Sequence, residues 1–147
     1  MLELGCGLGL PALAAALCGA EVLATDWAEE AIELLQRNAE RNRIFVRAAR
    51  VRWSEPEPLL RAAPWDLVLG ADLLYEARNA EQLAALLPEL GCIGRGGVGK
   101  AAASAFVRSV EPTRTEVLLA EPGRPYAKEF LERFGAEPVG ERIYRLR

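Results

Sequence analysis

Leu2-Glu3-Leu4-Gly5-Cys6-Gly7-Leu8-Gly9 stands at the start of the chain, and a small-residue helix is predicted directly after it, over residues 11–18. A strand that runs through glycines into a helix leaves bare N–H groups at the helix N-terminus, and glycine lets a ligand approach the main chain closely. The spacing is GxGxG, whereas a dinucleotide fingerprint requires GxGxxG, with its third glycine at the position of Leu10. Glu3 would repel a phosphate-bearing ligand and suits a ligand that carries an ammonium or sulfonium group.

The rest of the chain alternates between strand and helix patterns. Strands are predicted over residues 1–4, 21–25, 46–53, 65–70 and 116–120, with a last strand or hairpin over 139–146. Further helices are predicted over 26–43, 79–90 and 125–134, and residues 54–64 are expected to form a loop with one helical turn. This alternation predicts an α/β fold with a doubly wound, Rossmann-like, mostly parallel sheet that carries helices on both faces. The apolar runs 65–70 and 116–120 are expected to be buried on both faces.

One domain over residues 1–147 accommodates all of these elements. Residues 91–113 form an atypical insertion, because connections of this kind usually take 2–6 residues. Residues 100–110 are a candidate for an added helix within it.

Composition excludes several function classes. The net charge of -3 gives no electrostatic case for binding nucleic acid or a membrane surface. The chain has no histidine, which excludes Ser-His and Cys-His nucleophilic catalysis and most zinc sites, so no metal is predicted. The three cysteines lack CxxC spacing and are expected to be reduced thiols, which predicts a cytoplasmic protein. The uncharged run 4–20 lacks a preceding basic residue and contains glycines, so neither an export signal nor a membrane anchor is predicted.

Two further signals follow predicted strands. Asp26 ends the second strand, where an acidic residue accepts hydrogen bonds from ribose hydroxyls in nucleotide-binding α/β folds, although an N-cap of the next helix is an alternative. Asp72 and Tyr75 follow the fourth strand, at the edge where ligands of parallel sheets bind. If this segment is one helical turn, both side chains project to the same side. The alternative is a capping aspartate and a half-buried tyrosine.

These motifs together resemble the seven-strand S-adenosylmethionine-dependent methyltransferases. The glycine motif with Asp26, the later Trp53, and the WDLVLGADLLYE stretch at 65–76 carry the resemblance. The Asp-x-x-Tyr of Asp72 and Tyr75 is similar to the motif of the family 16 protein lysine methyltransferases. The stretch AEPGRP at 120–125 is similar to an Asp-Pro-Gly-Arg-Pro segment of members that methylate the beta subunit of electron transfer flavoprotein, with Glu121 in the acidic position.

The resemblance implies S-adenosyl-L-methionine as the cofactor and a protein lysine side chain as the methyl acceptor. The residues that it implies at the cofactor are Glu3, Gly5 and Gly7 beside the methionine part, Asp26 at the ribose, and Trp27 and Trp53 at the adenine. Asp72 and Tyr75 would face the substrate amine. Members of the family carry a segment before the first strand, so the resemblance also implies an N-terminally truncated member.

Three other interpretations stay open. The stretch GRGGVGK at 94–100 imitates a phosphate loop, but Ala101 stands where Ser or Thr would hold magnesium. An NAD(P)-dependent oxidoreductase is disfavoured by the GxGxG spacing and by Glu3. A methyltransferase remnant that binds the cofactor without catalysis is the third interpretation.

Overall fold

The computed structural model describes residues 1–91 and 115–146. Its strands are β1 (Leu2–Leu4), β2 (Leu23–Asp26), β3 (Arg47–Arg50), β4 (Leu67–Ala71), β5 (Glu116–Ala120), β6 (Glu137–Gly140) and β7 (Ile143–Leu146). Its helices are α1 (Leu10–Leu17), α2 (Glu29–Asn42), α3 (Glu57–Arg61), α4 (Ala77–Glu89) and α5 (Ala127–Arg133). Strands and helices therefore alternate as the sequence predicts, and β6 and β7 form the predicted hairpin.

All seven strands lie in one sheet, in the order β3-β2-β1-β4-β5-β7-β6. The pairs β3–β2, β2–β1, β1–β4 and β4–β5 are parallel, and β7 runs antiparallel to β5. The chain leaves β1 toward β2 and β3 and then returns to β4 on the other side of β1, so the strand order reverses between β1 and β4. In open α/β sheets, this switch point opens a crevice beyond the carboxyl ends of the strands, where ligands bind.

The buried apolar side chains form two clusters. The larger cluster packs α3, α4 and α5 against the central strands, with Leu4, Leu83 and Val117 fully buried. The smaller cluster packs α1 and α2 against β2 through Ala12, Leu35 and Ala24. Because alternate strand residues point to opposite faces, the two clusters lie on opposite sides of the sheet. Helices on both faces of a mostly parallel sheet confirm the predicted fold class.

The prediction that β4 and β5 are buried on both faces is wrong. Val68 and Val117 are fully buried, but Leu69 and Leu118, which point to the other face, are partly exposed. The larger cluster covers one face of these strands, whereas the helix α2 on the other face packs against β2 and β3. Among residues 1–91 and 115–146, these apolar strands are therefore fully covered on one face only.

The remaining differences concern the ends of elements. α2 begins at Glu29 with Ala28 as its N-cap, three residues later than predicted, and α3 is the helical turn expected within residues 54–64. Apart from Gly91, the predicted insertion 91–113 lies outside the described residues, as do the candidate helix 100–110 and the stretch at 94–100. Among the helices that the structure describes, none has the length and apolar character needed to cross a membrane.

Candidate active site

A cavity of about 600 Å³ lies beyond the carboxyl ends of the central strands, at the switch point. Its walls come from the loops after β1, β2, β3 and β4 and from the first turns of α4. Seven of the eight predicted site residues line it, namely Gly5, Gly7, Asp26, Trp27, Trp53, Asp72 and Tyr75. The fold thus brings together residues that are up to 70 positions apart in the sequence. A volume of this size is typical of pockets for small-molecule ligands.

The glycine loop between β1 and α1 requires glycine at each alternate position. Gly5, Gly7 and Gly9 have φ values of 63°, 51° and 78°, which residues with a Cβ rarely adopt. A Cβ on Gly5 would collide with Leu73, and one on Gly9 would collide with Leu35. A Cβ on Gly7 would meet no atom within 4 Å, so this glycine borders the open space of the cavity.

Cys6 lies between the first two glycines and is buried. Burial, together with the negative charges of Asp26 and Glu3, raises the pKa of its thiol to about 12. The thiolate is the nucleophilic form of cysteine. Cys6 therefore packs as a small apolar side chain and is not a nucleophile at neutral pH.

Asp26 ties the end of β2 to the glycine loop. Its Oδ2 atom accepts a hydrogen bond from the Gly7 N–H at 3.0 Å, and its Oδ1 atom accepts one from the Ala28 N–H at 3.0 Å. Asp26 is not the N-cap of α2, since that position is Ala28 and has no side-chain cap. Each carboxylate oxygen can accept a second hydrogen bond. Asp26 therefore keeps the capacity to bind a ligand hydroxyl.

Glu3 is the predicted site residue that does not line the cavity. It is 1% exposed, and its Oε2 atom accepts a hydrogen bond from the Ala12 N–H, in the first turn of α1, at 3.0 Å. Burial raises the pKa of its carboxyl from 4.5 to about 7, the Ala12 N–H lowers it in part, and the charge of Asp26 raises it further. The structure places this carboxylate beneath the start of α1. Its contact with the methionine part of a cofactor stays a prediction.

The expectation of one helical turn from Asp72 to Tyr75 is wrong. Asp72 has a left-handed φ of 56°, and α4 begins only at Ala77. The Asp72 N–H donates to the carbonyl oxygen of Ala120 at 2.8 Å, which extends the pairing of β4 with β5 by one residue before the chain turns. Asp72 and Tyr75 both line the cavity, although a different backbone path brings them there.

Arg124 binds Asp72 through two hydrogen bonds, a contact that sequence analysis missed. Arg124 Nε donates to Asp72 Oδ1 and Arg124 Nη2 donates to Asp72 Oδ2, both at 2.6 Å. Hydrogen bonding from the guanidinium holds the pKa of the Asp72 carboxyl below its usual value of 3.8, so Asp72 is ionised at neutral pH. The similarity of residues 120–125 to a known stretch was the available signal, and it assigned no role to the arginine.

The aromatic predictions and several unpredicted polar residues share the cavity wall. Trp27 is 59% exposed, and a ring carbon of Trp53 lies 3.7 Å from the position that a Cβ on Gly5 would occupy. Exposed indole rings offer flat apolar surfaces on which a base can stack. The polar residues that sequence reasoning missed in this wall are Arg52, Ser54, Arg78, Asn79 and Gln82. They lie in loops or on a helix surface, where a single sequence carries no pattern that distinguishes them.

Comparisons with known proteins identify the family of the chain. A family model described as lysine methyltransferase matches residues 1–95. Histone-arginine methyltransferase METTL23 of Xenopus laevis is 38% identical over 87 residues, which are 56% of this chain and 37% of that protein. Protein N-lysine methyltransferase METTL21A of Danio rerio is 39% identical over 80 residues, which are 51% of this chain and 36% of that protein.

A third relative aligns along almost the whole chain. Ribosomal protein L11 methyltransferase of Pseudomonas savastanoi is 33% identical over 143 residues, which are 97% of this chain and 41% of that protein. The chain thus spans 36% to 41% of the length of these three relatives.

Solved structures share the fold. The ribosomal protein L11 methylase of Lactobacillus delbrueckii aligns with a TM-score of 0.59 and 21% identity over 99% of this chain and 66% of that one. The Pyrococcus abyssi tRNA (uracil-54, C5)-methyltransferase, in complex with S-adenosyl-L-homocysteine, aligns with a TM-score of 0.61 and 13% identity over 99% of this chain and 33% of that one. The fold is therefore that of the Rossmann-like methyltransferases. The family match over residues 1–95 shows that the chain belongs to the lysine methyltransferase family, and nothing in the comparisons favours the oxidoreductase or remnant interpretations.

Proposed function

We propose that this protein is an S-adenosyl-L-methionine-dependent methyltransferase that modifies a lysine side chain of a protein. The observation that carries the proposal is the convergence of seven predicted site residues on one cavity at the switch point of the sheet. The family to which the chain belongs supports the reaction class. The chain spans less than half of the length of METTL23 and METTL21A, the relatives compared above.

The cavity fits the proposed cofactor in three respects. Gly7 leaves open space beside the backbone, where a Cβ would intrude. Asp26 has acceptor capacity left for the two ribose hydroxyls. Trp27 and Trp53 supply apolar faces for the adenine.

The chain's own residues would orient the acceptor and keep it uncharged. When bound, the cofactor supplies a methyl group on a sulfonium sulfur, which keeps the electron pair of the broken S–C bond as the amine nitrogen forms the new N–C bond. A lysine amine has a pKa of about 10.4, so it must first lose a proton, which water can take. Asp72 would accept a hydrogen bond from the amine nitrogen, and Tyr75 would shape the channel beside it. Catalysis would then rest mainly on proximity and orientation.

Lysine is the acceptor that the family description supports. Of the relatives, one is named as a protein N-lysine methyltransferase, one as a histone-arginine methyltransferase and one as a ribosomal protein L11 methyltransferase. Each of these names gives a protein as the substrate, and we therefore propose a protein as the partner of this chain. We also propose that residues 1–147 form one methyltransferase domain that acts in the cytoplasm, which the free thiols of Cys6 and Cys18 support.

The test uses the full chain with tritium-labelled S-adenosyl-L-methionine. Acceptors are purified core histones, ribosomal protein L11 and the beta subunit of electron transfer flavoprotein, each tested separately, together with a cell extract. We expect a labelled protein and, by mass spectrometry, a methylated lysine. Methylation confined to arginine would contradict the lysine assignment. Binding of S-adenosyl-L-homocysteine in calorimetry without any labelled acceptor would favour a remnant, and binding of NADH alone would favour an oxidoreductase.

A further inference from the structure

The contact between Arg124 and Asp72 joins the loops that follow two neighbouring strands. The two residues are 52 positions apart, and the planar guanidinium binds both carboxylate oxygens at 2.6 Å. Two parallel hydrogen bonds of this kind fix orientation as well as charge. Asp72 is the residue that the proposed function places beside the acceptor amine, so whatever binds Asp72 also acts on that amine.

Both partners are held by their own loops. The Glu121 side chain is 3% exposed, and its Oε1 atom accepts hydrogen bonds from the N–H groups of Gly123 at 2.9 Å and Arg124 at 2.7 Å. These bonds close a turn that begins directly after β5 and presents Arg124 to Asp72. On the other side, the Asp72 N–H is bound to Ala120. The pair is therefore arranged before any substrate arrives.

Other charged groups of the cavity have different partners. Arg78 of α4 lies 3.5 Å from Glu76, and Arg52 lies 3.9 Å from Glu55. Asp26 accepts hydrogen bonds from the backbone N–H groups of Gly7 and Ala28, and the other titratable side chain in the cavity wall is the phenol of Tyr75. Arg124 is the cation paired with Asp72 among the described residues. Hydrogen bonding to Asp72, the charge of Asp72 and, less strongly, the charge of Glu121 raise the pKa of the Arg124 guanidinium. Asp72 and Arg124 together carry no net charge.

Neutrality matters for the chemistry of a lysine acceptor. An isolated carboxylate beside an amine favours the ammonium form, which has no lone pair to attack a methyl group. A carboxylate whose charge is balanced by a guanidinium favours that form less. Each of its oxygens still has a lone pair free to accept an N–H hydrogen bond from a neutral amine. Orientation can then be obtained without stabilising the unreactive protonation state.

We propose that Arg124 is a positioning residue that balances the charge of Asp72, so that Asp72 orients the acceptor lysine without stabilising its protonated form. This inference rests on the proposed lysine methylation. It assigns a function to an arginine that lies outside the glycine, Asp26 and Asp-x-x-Tyr motifs. It also explains why a carboxylate next to the acceptor is bound on both oxygens by another residue of the same chain.

The test compares Arg124→Gln, which removes the charge, with Arg124→Lys, which keeps it. Initial rates with the protein acceptor identified above are measured from pH 6 to pH 10 at saturating S-adenosyl-L-methionine. For Arg124→Gln we expect the rising limb of the kcat profile to move up by about one pH unit, because one opposite charge shifts a neighbouring pKa by about that amount. At pH 7, kcat then falls about tenfold and KM for the acceptor decreases, since the ammonium form binds better. Above the pH at which the profile of the unmodified protein levels off, the rate of Arg124→Gln keeps rising toward that of the unmodified protein.

In Arg124→Lys, the rising limb of the kcat profile stays within a few tenths of a pH unit of its position in the unmodified protein. Arg37→Gln is the matched control. Arg37 is an exposed arginine that is paired with Glu33 on α2, outside the cavity, and its loss leaves the profile unchanged. A loss of kcat in Arg124→Gln that keeps the same size above the pH at which the profile of the unmodified protein levels off would overturn the inference, because that pattern indicates a purely structural role. A shift of the same size in Arg124→Lys would also overturn it.

A second measurement is independent of turnover. Carbon-13 NMR of the Asp72 carboxyl in the protein without ligands follows its titration directly. We expect the Asp72 pKa to rise in Arg124→Gln and to stay low in Arg124→Lys, and equal titration in all three proteins would overturn the ion pair itself. If the unmodified protein methylates no lysine at any pH, the proposed function fails together with this role. Lysine methylation with identical profiles in Arg124→Gln overturns the role of Arg124 alone.

Discussion

The Oδ2 atom of Asp26 accepts the N–H of Gly7 at 3.0 Å, so one carboxylate joins the end of β2 to the glycine loop 19 residues earlier. Its other oxygen accepts the Ala28 N–H just before α2. Asp26 is 8% exposed, which makes both hydrogen bonds matter for stability. The residue that is proposed to bind the ribose is therefore also the residue that shapes the loop beside the methionine part.

Asp26→Ala should weaken both folding and ligand binding. Hydrogen bonds to a charged acceptor contribute roughly 1.5–3 kcal/mol each, so we expect the free energy of unfolding to fall by about 3 kcal/mol or more in urea denaturation. We also expect the Kd for S-adenosyl-L-homocysteine in calorimetry to rise by more than about tenfold. Glu30→Gln, at an exposed position on α2, serves as the control. Ligand affinity within threefold of the unmodified protein would remove Asp26 from the binding site.

Two glycines with similar backbone strain allow the ligand site to be separated from stability. Gly7 and Gly19 both have positive φ, 51° and 89°, and an added Cβ meets nothing within 4 Å at either position. Alanine at each should cost about 1–2 kcal/mol of unfolding free energy through the left-handed backbone. Gly7→Ala should in addition abolish binding of S-adenosyl-L-homocysteine, because Gly7 lines the cavity and Gly19 does not.

Calorimetry on both variants provides the measurement, and thermal unfolding provides the check on stability. Equal ligand affinity in Gly7→Ala and Gly19→Ala would show that the ligand does not approach the main chain at Gly7. A parallel loss in both variants would point to a general effect of destabilisation.

The glycine loop and the strand–helix alternation were predictable because each depends on local chemistry. Glycines at positions 5, 7 and 9 are required by positive φ, and apolar runs such as residues 116–120 identify strands without any knowledge of their neighbours. The exposure of Leu69 was not predictable, because it depends on which helices cover that half of the sheet. The sequence pattern specifies a strand or a helix, whereas the helices that pack over a strand are determined by the tertiary fold.

The candidate site shows the same division. Asp26, Asp72 and Tyr75 follow predicted strands, and the topology alone brings the carboxyl ends of those strands together. The Asp72–Arg124 pair spans 52 residues and was missed, since its partners meet through a turn after β5 that Glu121 closes. Glu3 was predicted beside the cofactor from its charge and from the family resemblance. The structure shows that its carboxyl group accepts a hydrogen bond from the Ala12 N–H of α1, and its contact with a cofactor stays a prediction. The spacing of residues in the sequence does not predict long-range contacts or the directions of side chains.

Glu3 should make stability depend on pH below neutrality. Folding raises the pKa of its carboxyl from 4.5 to about 7, so between these values the native state keeps a proton that the unfolded chain has released. The contribution of Glu3 to the free energy of unfolding is therefore fully present below pH 4.5, falls as the pH rises toward 7, and no longer changes above that pH. A shift of this size corresponds to about 3 kcal/mol. Glu3→Gln cannot ionise at this position. Between pH 4.5 and pH 8, its free energy of unfolding should therefore increase by about that amount relative to that of the unmodified protein.

Urea denaturation of both proteins at pH 4.5, 6, 7 and 8 measures this difference. Glu30→Gln is again a suitable control, because Glu30 is exposed and lies outside the contact between Glu3 and α1. A constant difference between Glu3→Gln and the unmodified protein across the range would show that folding does not raise the pKa of the Glu3 carboxyl.

Asp72→Asn should remove activity without removing the fold or the cofactor. Asparagine has nearly the same shape as aspartate and tolerates the left-handed φ of 56° at this position. The Asp72–Arg124 pair is about half exposed, with side-chain exposures of 46% and 45%, and ion pairs in such positions contribute roughly 0–1 kcal/mol.

We therefore expect little change in urea denaturation and a Kd for S-adenosyl-L-homocysteine within a few-fold, because the glycine loop and Asp26 are untouched. Methyl transfer should fall by at least about a hundredfold, because the amide keeps a single oxygen acceptor, for which Arg124 competes with the acceptor amine, and the amine loses its orientation. Asp66→Asn, at an exposed aspartate directly before β4, should leave both properties unchanged. If Asp72→Asn methylates the acceptor as fast as the unmodified protein, Asp72 has no part in the reaction, and the charge-balancing role of Arg124 is excluded with it.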